Sequence, residues 1–178
     1  MDDKNIELEV DVTDNKSVYI DETLLLLVIK NIIQNAIVYT PNNTKVTIKQ
    51  FFLSSNHKLE HDFGTQIVKP YLKNKSSSIM NPVVLQVMDS GIGINPKDYA
   101  SIFEPFVRLS QADNQMFTSK DRSDGASKKN YSIEGTGLGL SIVKTICEQS
   151  GIGLYLTEAQ CDLDNTNGHS GLCVTLII

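Results

Sequence analysis

Residues 89–94 read D-S-G-I-G-I, and this stretch decides the fold. The six residues before it, V-V-L-Q-V-M, predict a buried β-strand from Val83 to Met88, because all but one are apolar. At the end of that strand, the carboxylate of Asp89 can accept a hydrogen bond from an amine, such as the exocyclic amine of adenine. Gly91 and Gly93 would let the backbone turn tightly beside the base. An ordinary Asp-Ser-Gly turn is the alternative interpretation.

A second informative stretch, N-I-I-Q-N-A, runs from Asn31 to Ala36 on a predicted helix from Glu22 to Tyr39. Asp21 is a good N-cap for this helix, and Thr40-Pro41 is expected to end it. Asn31 and Asn35 share one face because they are four residues apart. Their amides either tie the helix to neighbouring backbone or face a cleft, where an amide oxygen can ligate Mg²⁺. The apolar residues are spread so broadly that most of the helix is expected to be buried.

A third stretch, G-T-G-L-G-L (residues 135–140), opens a predicted helix from about Thr136 to Gln149. Free backbone N–H groups and the helix dipole favour phosphate at such a start, although a plain flexible loop is the alternative. The spacing is not that of the dinucleotide motif, and no predicted strand precedes it, which argues against a Rossmann site. The chain contains no G-x-x-x-x-G-K-[ST], which excludes P-loop NTPases.

Between D-S-G-I-G-I and G-T-G-L-G-L lies F-E-P-F, from Phe103 to Phe106. Both phenylalanines are expected to pack in the core. Arg108 follows closely and is either a surface charge or a ligand for phosphate.

The rest of the chain predicts mostly strands. Residues 5–12 alternate strictly and predict a half-buried strand, with Ile6, Leu8, Val10 and Val12 on one face. Further strands are expected at 18–20, 45–52, 152–157 and 172–178, and a helix capped by Asn95 with Pro96 in its first turn is expected to reach about Ile102. The polar ranges 53–81 and 110–133 are interpreted as loops. This order predicts an α/β sandwich, with a mixed, mostly antiparallel sheet and helices on one face.

Composition indicates an ordinary globular protein. At 178 residues the chain is expected to form one domain, residues 1–178. The net charge of −5 argues against a nucleic-acid partner. Cys147, Cys161 and Cys173 form no C-x-x-C, which favours a reduced intracellular protein. The N-terminus lacks a signal-peptide pattern, and the longest apolar run is far below the ~20 residues of a membrane span. No membrane contact is therefore expected.

In their order along the chain, the four stretches N-I-I-Q-N-A, D-S-G-I-G-I, F-E-P-F and G-T-G-L-G-L resemble four sequence boxes of the histidine-kinase ATP-binding domain. These are, respectively, the N box, the first glycine box, the F box and the second glycine box. That family belongs to the Bergerat-fold ATPases. The resemblance covers residues 5–178 apart from insertions at 53–81 and 110–133. It implies an α+β two-layer sandwich that binds ATP and Mg²⁺ and donates the γ-phosphate to a histidine. The acceptor would lie on a separate dimerisation and histidine-phosphotransfer domain and would pass the phosphoryl group to a response regulator receiver domain in the cytoplasm.

The resemblance also implies roles for individual residues. Asn35 matches the magnesium ligand, Asn31 its upstream catalytic partner, and Arg108 an arginine that reaches the phosphates or the acceptor. Related ATPases carry a glutamate as general base where this chain has Asn31, so transfer is favoured over hydrolysis. Residues 95–139 correspond to a lid over the nucleotide. The remaining nucleotide contacts are expected from Tyr39, Asp89, Gly91, Gly93, Ile94, Gly135, Thr136, Gly137, Leu138, Gly139 and Leu140.

Two departures leave alternatives open. Val38 stands where the family usually carries a basic residue, and Lys120, Arg122, Lys128 and Lys129 in the predicted lid either compensate or are a solvated run. No histidine lies in the acceptor pattern; His57, His61 and His169 lie in polar stretches. A Bergerat-fold protein-serine kinase or ATPase, or a nucleotide-binding module without transfer activity, is the alternative. The isolated D-F-G at 62–64 and H-x-x-E-H at 57–61 lack the partner motifs of kinases and zinc hydrolases.

Overall fold

The chain forms a layered arrangement of helices on a twisted sheet. The computed structural model describes residues 4–13, 17–53, 58–71, 82–109, 116–118, 136–159 and 171–178. The strands are β1 (Ile6–Val12), β2 (Thr44–Phe52), β3 (Thr65–Val68), β4 (Val83–Met88), β5 (Val107–Leu109), β6 (Met116–Thr118), β7 (Gly153–Glu158) and β8 (Leu172–Ile177). The helices are α1 (Glu22–Tyr39), α2 (Leu59–Phe63) and α3 (Gly139–Ser150), with 3-10 turns at Pro96–Asp98 and Ser101–Phe103.

The main sheet has six strands in the order β1-β2-β4-β8-β7-β3, and β5 pairs with β6 separately. β1 runs parallel to β2, and the other pairs in the main sheet are antiparallel. The predicted mixed, mostly antiparallel sheet is therefore confirmed.

The two longer helices cover one face of this sheet. Asp21 caps α1 as predicted, since its side chain accepts a 3.0 Å hydrogen bond from the N–H of Leu24. Val28, Ile32 and Ala36 recur every four residues and form the buried stripe of α1. This stripe, residues of α3 and alternate residues of the strands together form one apolar core. The strand residues in it include Val46, Val87, Leu154, Leu156, Val174 and Leu176.

The opposite face of the sheet carries a second, smaller core. Strand neighbours of the first core residues point to this side because side chains alternate. Val84, Tyr155 and Ile177 are buried there with Phe63 of α2. The loop prediction for 53–81 is therefore wrong for α2 and β3, which this packing and the pairing of β3 with β7 stabilise.

Burial of α1 and β1 differs from the prediction. α1 is buried only along its narrow stripe, while Leu26, Leu27 and Ile37 are exposed. In β1, Ile6 packs against the core, but the other apolar residues of the predicted half-buried face are exposed. In α1 these exposed residues lie on sides of the helix away from the buried stripe, and in β1 the exposed row lies on an edge strand. α1 also has the length and apolarity of a membrane span, a test that core helices pass as well, and its stripe packs on the sheet.

Three element boundaries also differ. Residues 18–20 form no strand, and the predicted helix to Ile102 is two 3-10 turns, although Asn95 does accept a bond from the N–H of Lys97. α3 begins at Gly139 instead of Thr136, because Gly137 adopts a left-handed φ of 72°. Within 110–133, β6 replaces part of the predicted loop, and the rest lies outside the described residues.

The two cysteines that the structure describes are inert. Cys147 and Cys173 are buried free thiols. Burial raises the pKa of Cys147 to about 12 and that of Cys173 to about 11, so both stay protonated near neutral pH. Cys161 lies outside the described residues.

Candidate nucleotide-binding site

Asp89 directly follows β4, and its side chain is held in place by backbone. Its Oδ1 accepts hydrogen bonds from the N–H of Gly91 at 2.8 Å and from the N–H of Leu172 at 3.2 Å. The residue is 8% exposed. Burial raises the pKa of Asp89, and the two N–H donors oppose that shift in part. The result is a fixed, weakly solvated carboxylate, which is a directional acceptor for a ligand amine.

Two glycines make this arrangement possible. A Cβ on Gly171 would lie 1.8 Å from the carbonyl oxygen of Asp89, so only glycine lets β8 begin here. A Cβ on Gly91 would lie 2.8 Å from both Asp89 Oδ1 and the carbonyl oxygen of Tyr39. The end of α1 thus meets the turn after β4. Gly171 was missed by the sequence analysis, and the only signal was its place immediately before the last predicted strand.

The two asparagines of α1 have different surroundings. Asn31 is half-buried, and its Nδ2 donates to the carbonyl of Leu27 at 2.8 Å. Its Oδ1 faces the start of α3, since a Cβ on Gly139 would lie 2.8 Å from that oxygen. Asn35 is also half-buried, and its side chain makes no hydrogen bond to another residue that the structure describes. The hydrogen bond to the carbonyl of Leu27 therefore accounts for the amide nitrogen of Asn31. The amide oxygens of Asn31 and Asn35 are left for other partners.

The start of α3 is an uncapped helix terminus. Its N-cap, Leu138, makes no side-chain hydrogen bond, so the N–H groups of the first turn remain for a ligand. The turn before it is clamped to the F-E-P-F stretch by a 2.9 Å bond from the N–H of Phe106 to the carbonyl of Gly137. Phe106 has a φ of 67° and is 49% exposed, so its predicted core position is wrong. Phe103 is 1% exposed, as predicted.

The structure brings predicted site residues together in two groups, one at each end of the C-terminal half of α1. Asp89, Gly91 and the carbonyl of Tyr39 form the first group, and Asn31 with Gly139 forms the second. Asn31 and Tyr39 are eight residues apart on α1, roughly 12 Å along its axis at ~1.5 Å per residue. The two groups are therefore far enough apart to contact opposite ends of one elongated ligand.

The structure describes five further predicted site residues. Gly93 has a left-handed φ of 67°, and Ile94 and Leu140 are partly buried against the main core. Thr136 is exposed, and Arg108 lies half-buried on β5. Outside the described residues are Gly135, Lys120, Arg122, Lys128, Lys129, His57, His169 and the side chain of His61. In the described part of the chain, no three His, Cys, Asp or Glu side chains group as metal ligands.

A match to a known family shows which family this chain belongs to. The sequence model of the family described as "Histidine kinase-, DNA gyrase B-, and HSP90-like ATPase" matches residues 20–178. The chain belongs to this family. It is similar to part of curated proteins described as sensor or sensor-like histidine kinases.

Two of those relatives illustrate the similarity. The sensor histidine kinase Hik2 of Synechocystis sp. is 30% identical over 157 residues, covering 88% of this chain and 28% of its own length. The uncharacterized sensor-like histidine kinase ycf26 of Pyropia yezoensis is 28% identical over 162 residues, covering 86% of this chain and 19% of its own length. The chain spans 15% of the length of the Synechocystis relative named drug sensory protein A and 28% of the length of Hik2.

Solved structures support the fold. The mycobacterial sensor histidine kinase MprB superposes with a TM-score of 0.61 at 22% identity, covering 97% of this chain and 80% of that one. The catalytic domain of the histidine kinase ThkA gives 0.56 at 24% identity, covering 98% of this chain and 78% of that one. The predicted histidine-kinase ATPase fold is confirmed.

The position of Asp89 predicts that this ATP-binding domain binds ADP more weakly in acid. Because burial raises the pKa of Asp89, its protonation begins at a higher pH than for an exposed aspartate. The protonated group loses acceptor strength, so affinity falls as pH drops through that pKa. For the domain without nucleotide the sign is opposite: the stability contribution of Asp89 is full at low pH and is lost as pH rises through the same pKa.

Calorimetric titration with ADP over a pH series checks this prediction. The control is Asp89→Asn, which cannot titrate, while the nucleotide phosphates titrate equally with both proteins. The ratio of the two affinities should shrink on acidification. A ratio that is constant with pH contradicts the prediction.

Proposed function

We propose that this domain binds Mg²⁺–ATP and transfers the γ-phosphate to a histidine on a separate dimerisation and histidine-phosphotransfer domain. The observation that carries the proposal is the position of the Asn31 side-chain amide, which lies on α1 and faces the start of α3. Its nitrogen donates to the carbonyl of Leu27, and its oxygen faces Gly139. An amide cannot take a proton from water near neutral pH, so this position lacks a general base for hydrolysis. The site would then hold ATP for an acceptor other than water.

The adenine end is assigned to Asp89. Its orientation by two N–H donors supports this role, because a fixed carboxylate can accept from the exocyclic amine of adenine. Gly91 would let the base approach the backbone, and Tyr39, half-buried at the end of α1, would contact the ribose or a phosphate.

The metal is assigned to Asn35. Its half-buried amide, without a hydrogen bond to another described residue, fits an oxygen ligand for Mg²⁺. A single protein ligand suits Mg²⁺, which usually keeps waters and binds phosphate oxygens. When bound, the ion would neutralise charge on the phosphates. Asn35 would then orient the triphosphate along α1.

The phosphates are assigned to the uncapped start of α3. The N–H groups from Gly139 onward and the positive end of the helix dipole would hold the phosphate oxygens. Arg108 on β5 would add charge next to the clamped turn. Phosphoryl transfer depends chiefly on positioning and charge neutralisation, which these groups would supply.

The partners follow from this chemistry. The chain spans 28% of the length of Hik2 and 19% of that of ycf26, so the phosphoacceptor helices would belong to another part of the parent protein. A response regulator receiver domain would then accept the phosphoryl group, in the cytoplasm where ATP is available. The net charge of −5 supports proteins rather than nucleic acid as partners.

Radiolabelled ATP tests the proposal, with this chain alone and with the phosphoacceptor domain of the parent protein added. We expect no label and at most trace hydrolysis from the chain alone. The added domain should acquire an acid-labile, base-stable label, which is the signature of phosphohistidine. Steady ATP hydrolysis by the wild-type chain at ordinary enzyme rates contradicts the proposal and favours an ATPase.

Asn31→Glu sharpens this test. A carboxylate at the phosphate end should raise hydrolysis, because general-base assistance is typically worth ~10²–10⁴ in rate. Gln34→Glu is the matched control, since it adds the same charge to an exposed position of the same helix. Equal hydrolysis by the two variants would show that position 31 does not face the attacking water.

A further inference from the structure

β1 is an edge strand of the sheet that the structure describes. In the described sheet it has a neighbour, β2, on one side only. The N–H of Thr13 donates to the carbonyl of Gln50 at 3.1 Å. Thr13 and every second residue before it therefore direct their backbone N–H and C=O groups toward β2. Successive residues of a strand direct their backbone groups to opposite sides, so those of Leu8, Val10 and Val12 point away from β2. Three donors and three acceptors therefore line the outer edge.

The same three residues expose apolar side chains. Leu8, Val10 and Val12 are 54%, 56% and 54% exposed. In the register with β2, Leu8 lies beside Val46 and Val10 beside Ile48, both of which belong to or pack against the main core. The apolar row thus continues the helix-covered face of the sheet past the end of its helix layer. A strand added at this edge would extend the same apolar face and reduce its exposure.

The two edges of the sheet differ in how they resist pairing. β3, at the other edge, has four residues and a register shift between Gln66 and Val68. Lys69 and Pro70 follow it directly. Short length, irregularity, lysine and proline are devices that block edge pairing. β1 has seven residues in unbroken register with β2 and contains no lysine, proline or glycine. Of the two edges of the described sheet, the β1 edge is the one suited to accept a strand.

The acidic side chains on the opposite face of β1 indicate which side chains an added strand would carry. Glu7, Glu9 and Asp11 alternate with the apolar row, and Lys45 of β2 pairs with Glu9 at 3.3 Å. A second copy of β1 would bring these three acids against three identical ones, which disfavours self-pairing. A strand with basic residues at alternate positions would give the acidic row a second basic neighbour, as β2 already does with Lys45 and Lys49.

We propose that the outer edge of β1 binds an extended segment of a partner protein in which basic and apolar residues alternate. The segment adds a seventh strand to the main sheet. Its backbone pairs with Leu8, Val10 and Val12, its apolar side chains cover their exposed row, and its basic side chains face Glu7, Glu9 and Asp11. This mode of recognition takes affinity from main-chain hydrogen bonds and specificity from alternate side chains.

The test uses a blocked heptapeptide of alternating lysine and valine, titrated into the isotopically labelled domain and followed by NMR and amide exchange. We expect saturable binding that weakens with salt, and new protection of the amides of Leu8, Val10 and Val12. Amides of β3 should not change. The same peptide with a central proline, and one with glutamate in place of lysine, should each bind at least about ten-fold more weakly.

Two variants locate the binding on β1. Val10→Pro removes an outward N–H that β2 does not use and should weaken binding about ten-fold, whereas Val10→Thr keeps the N–H and should weaken it less. Glu7→Lys with Asp11→Lys leaves the Glu9–Lys45 pair in place and should reverse the preference toward the glutamate peptide. ADP binding by each variant verifies the fold.

Three results would overturn the proposal. The first is equal binding of the proline-containing or glutamate peptide by the wild-type domain, and the second is no binding of the lysine–valine peptide at all. The third is a concentration-dependent dimer in sedimentation that Val10→Pro abolishes, which would assign the edge to a second copy of this chain.

Discussion

Gly171→Ala is expected to abolish nucleotide binding and to lower the free energy of unfolding by about 3 kcal/mol or more. The new Cβ would lie 1.8 Å from the carbonyl oxygen of Asp89 and 2.6 Å from its carbonyl carbon. Both are backbone atoms, so no side-chain rotation relieves the contact. The turn after β4 or the start of β8 must shift. Either shift breaks the 2.9 Å bond from the N–H of Asp89 to the carbonyl of Leu172 and misplaces the carboxylate.

Urea unfolding and ADP titration measure the two effects. Gly139→Ala is the matched control, because there the new Cβ would meet only the end of the Asn31 side chain at 2.8 Å, which can rotate. Alanine is also a better helix former than glycine by ~1 kcal/mol, so this control should keep or gain stability. Equal stability of the two variants would contradict the tight contact at Gly171.

Asp89→Asn is expected to reduce ATP affinity about ten- to a hundredfold, because it removes one charge-assisted hydrogen bond worth ~1.5–3 kcal/mol. The asparagine keeps an oxygen for the N–H groups of Gly91 and Leu172, so the turn should survive. Its amide nitrogen would bring a donor where a carboxylate oxygen stood, and a donor repels the exocyclic amine of adenine. Since burial disfavours the charged form of Asp89, the variant without nucleotide should be at least as stable as wild type.

Calorimetric titration with ATP and GTP decides this prediction. The wild-type domain should strongly prefer ATP, because guanine presents a carbonyl oxygen where adenine has its amine, and the variant should lose most of that preference. Asp98→Asn, the same substitution on the 3-10 turn at Pro96–Asp98, should leave both affinities unchanged. Equal binding of ATP and GTP by the wild-type domain would remove the adenine role of Asp89.

Elements whose signals are local were predicted well. α1 has its capping residue, its stop and its apolar period within one stretch, and the structure reproduces its bounds, Glu22–Tyr39. β4 and the turn at Asp89 likewise depend on adjacent residues. The family assignment combined such local motifs in their order along the chain, and the match over residues 20–178 confirms it.

Burial and distant contacts were predicted less well. The period of β1 correctly places Leu8, Val10 and Val12 on one face, but whether another layer covers that face depends on where α1 ends in space. α2 and β3 are short and polar in composition, and they form because Phe63 and Val68 find partners on sheet strands far along the chain. Gly171 belongs to the site only through its contact with Asp89, and no pattern around either residue indicates that contact.

The bond between Phe106 and Gly137 has a consequence for how the family can vary this region. It joins the two ends of a segment of thirty residues, from Val107 to Thr136, at its base. The entropy of closing such a loop rises only with the logarithm of its length, by roughly 0.6 kcal/mol for each doubling. Insertions between the clamped ends are therefore inexpensive, and they leave the start of α3 where it is.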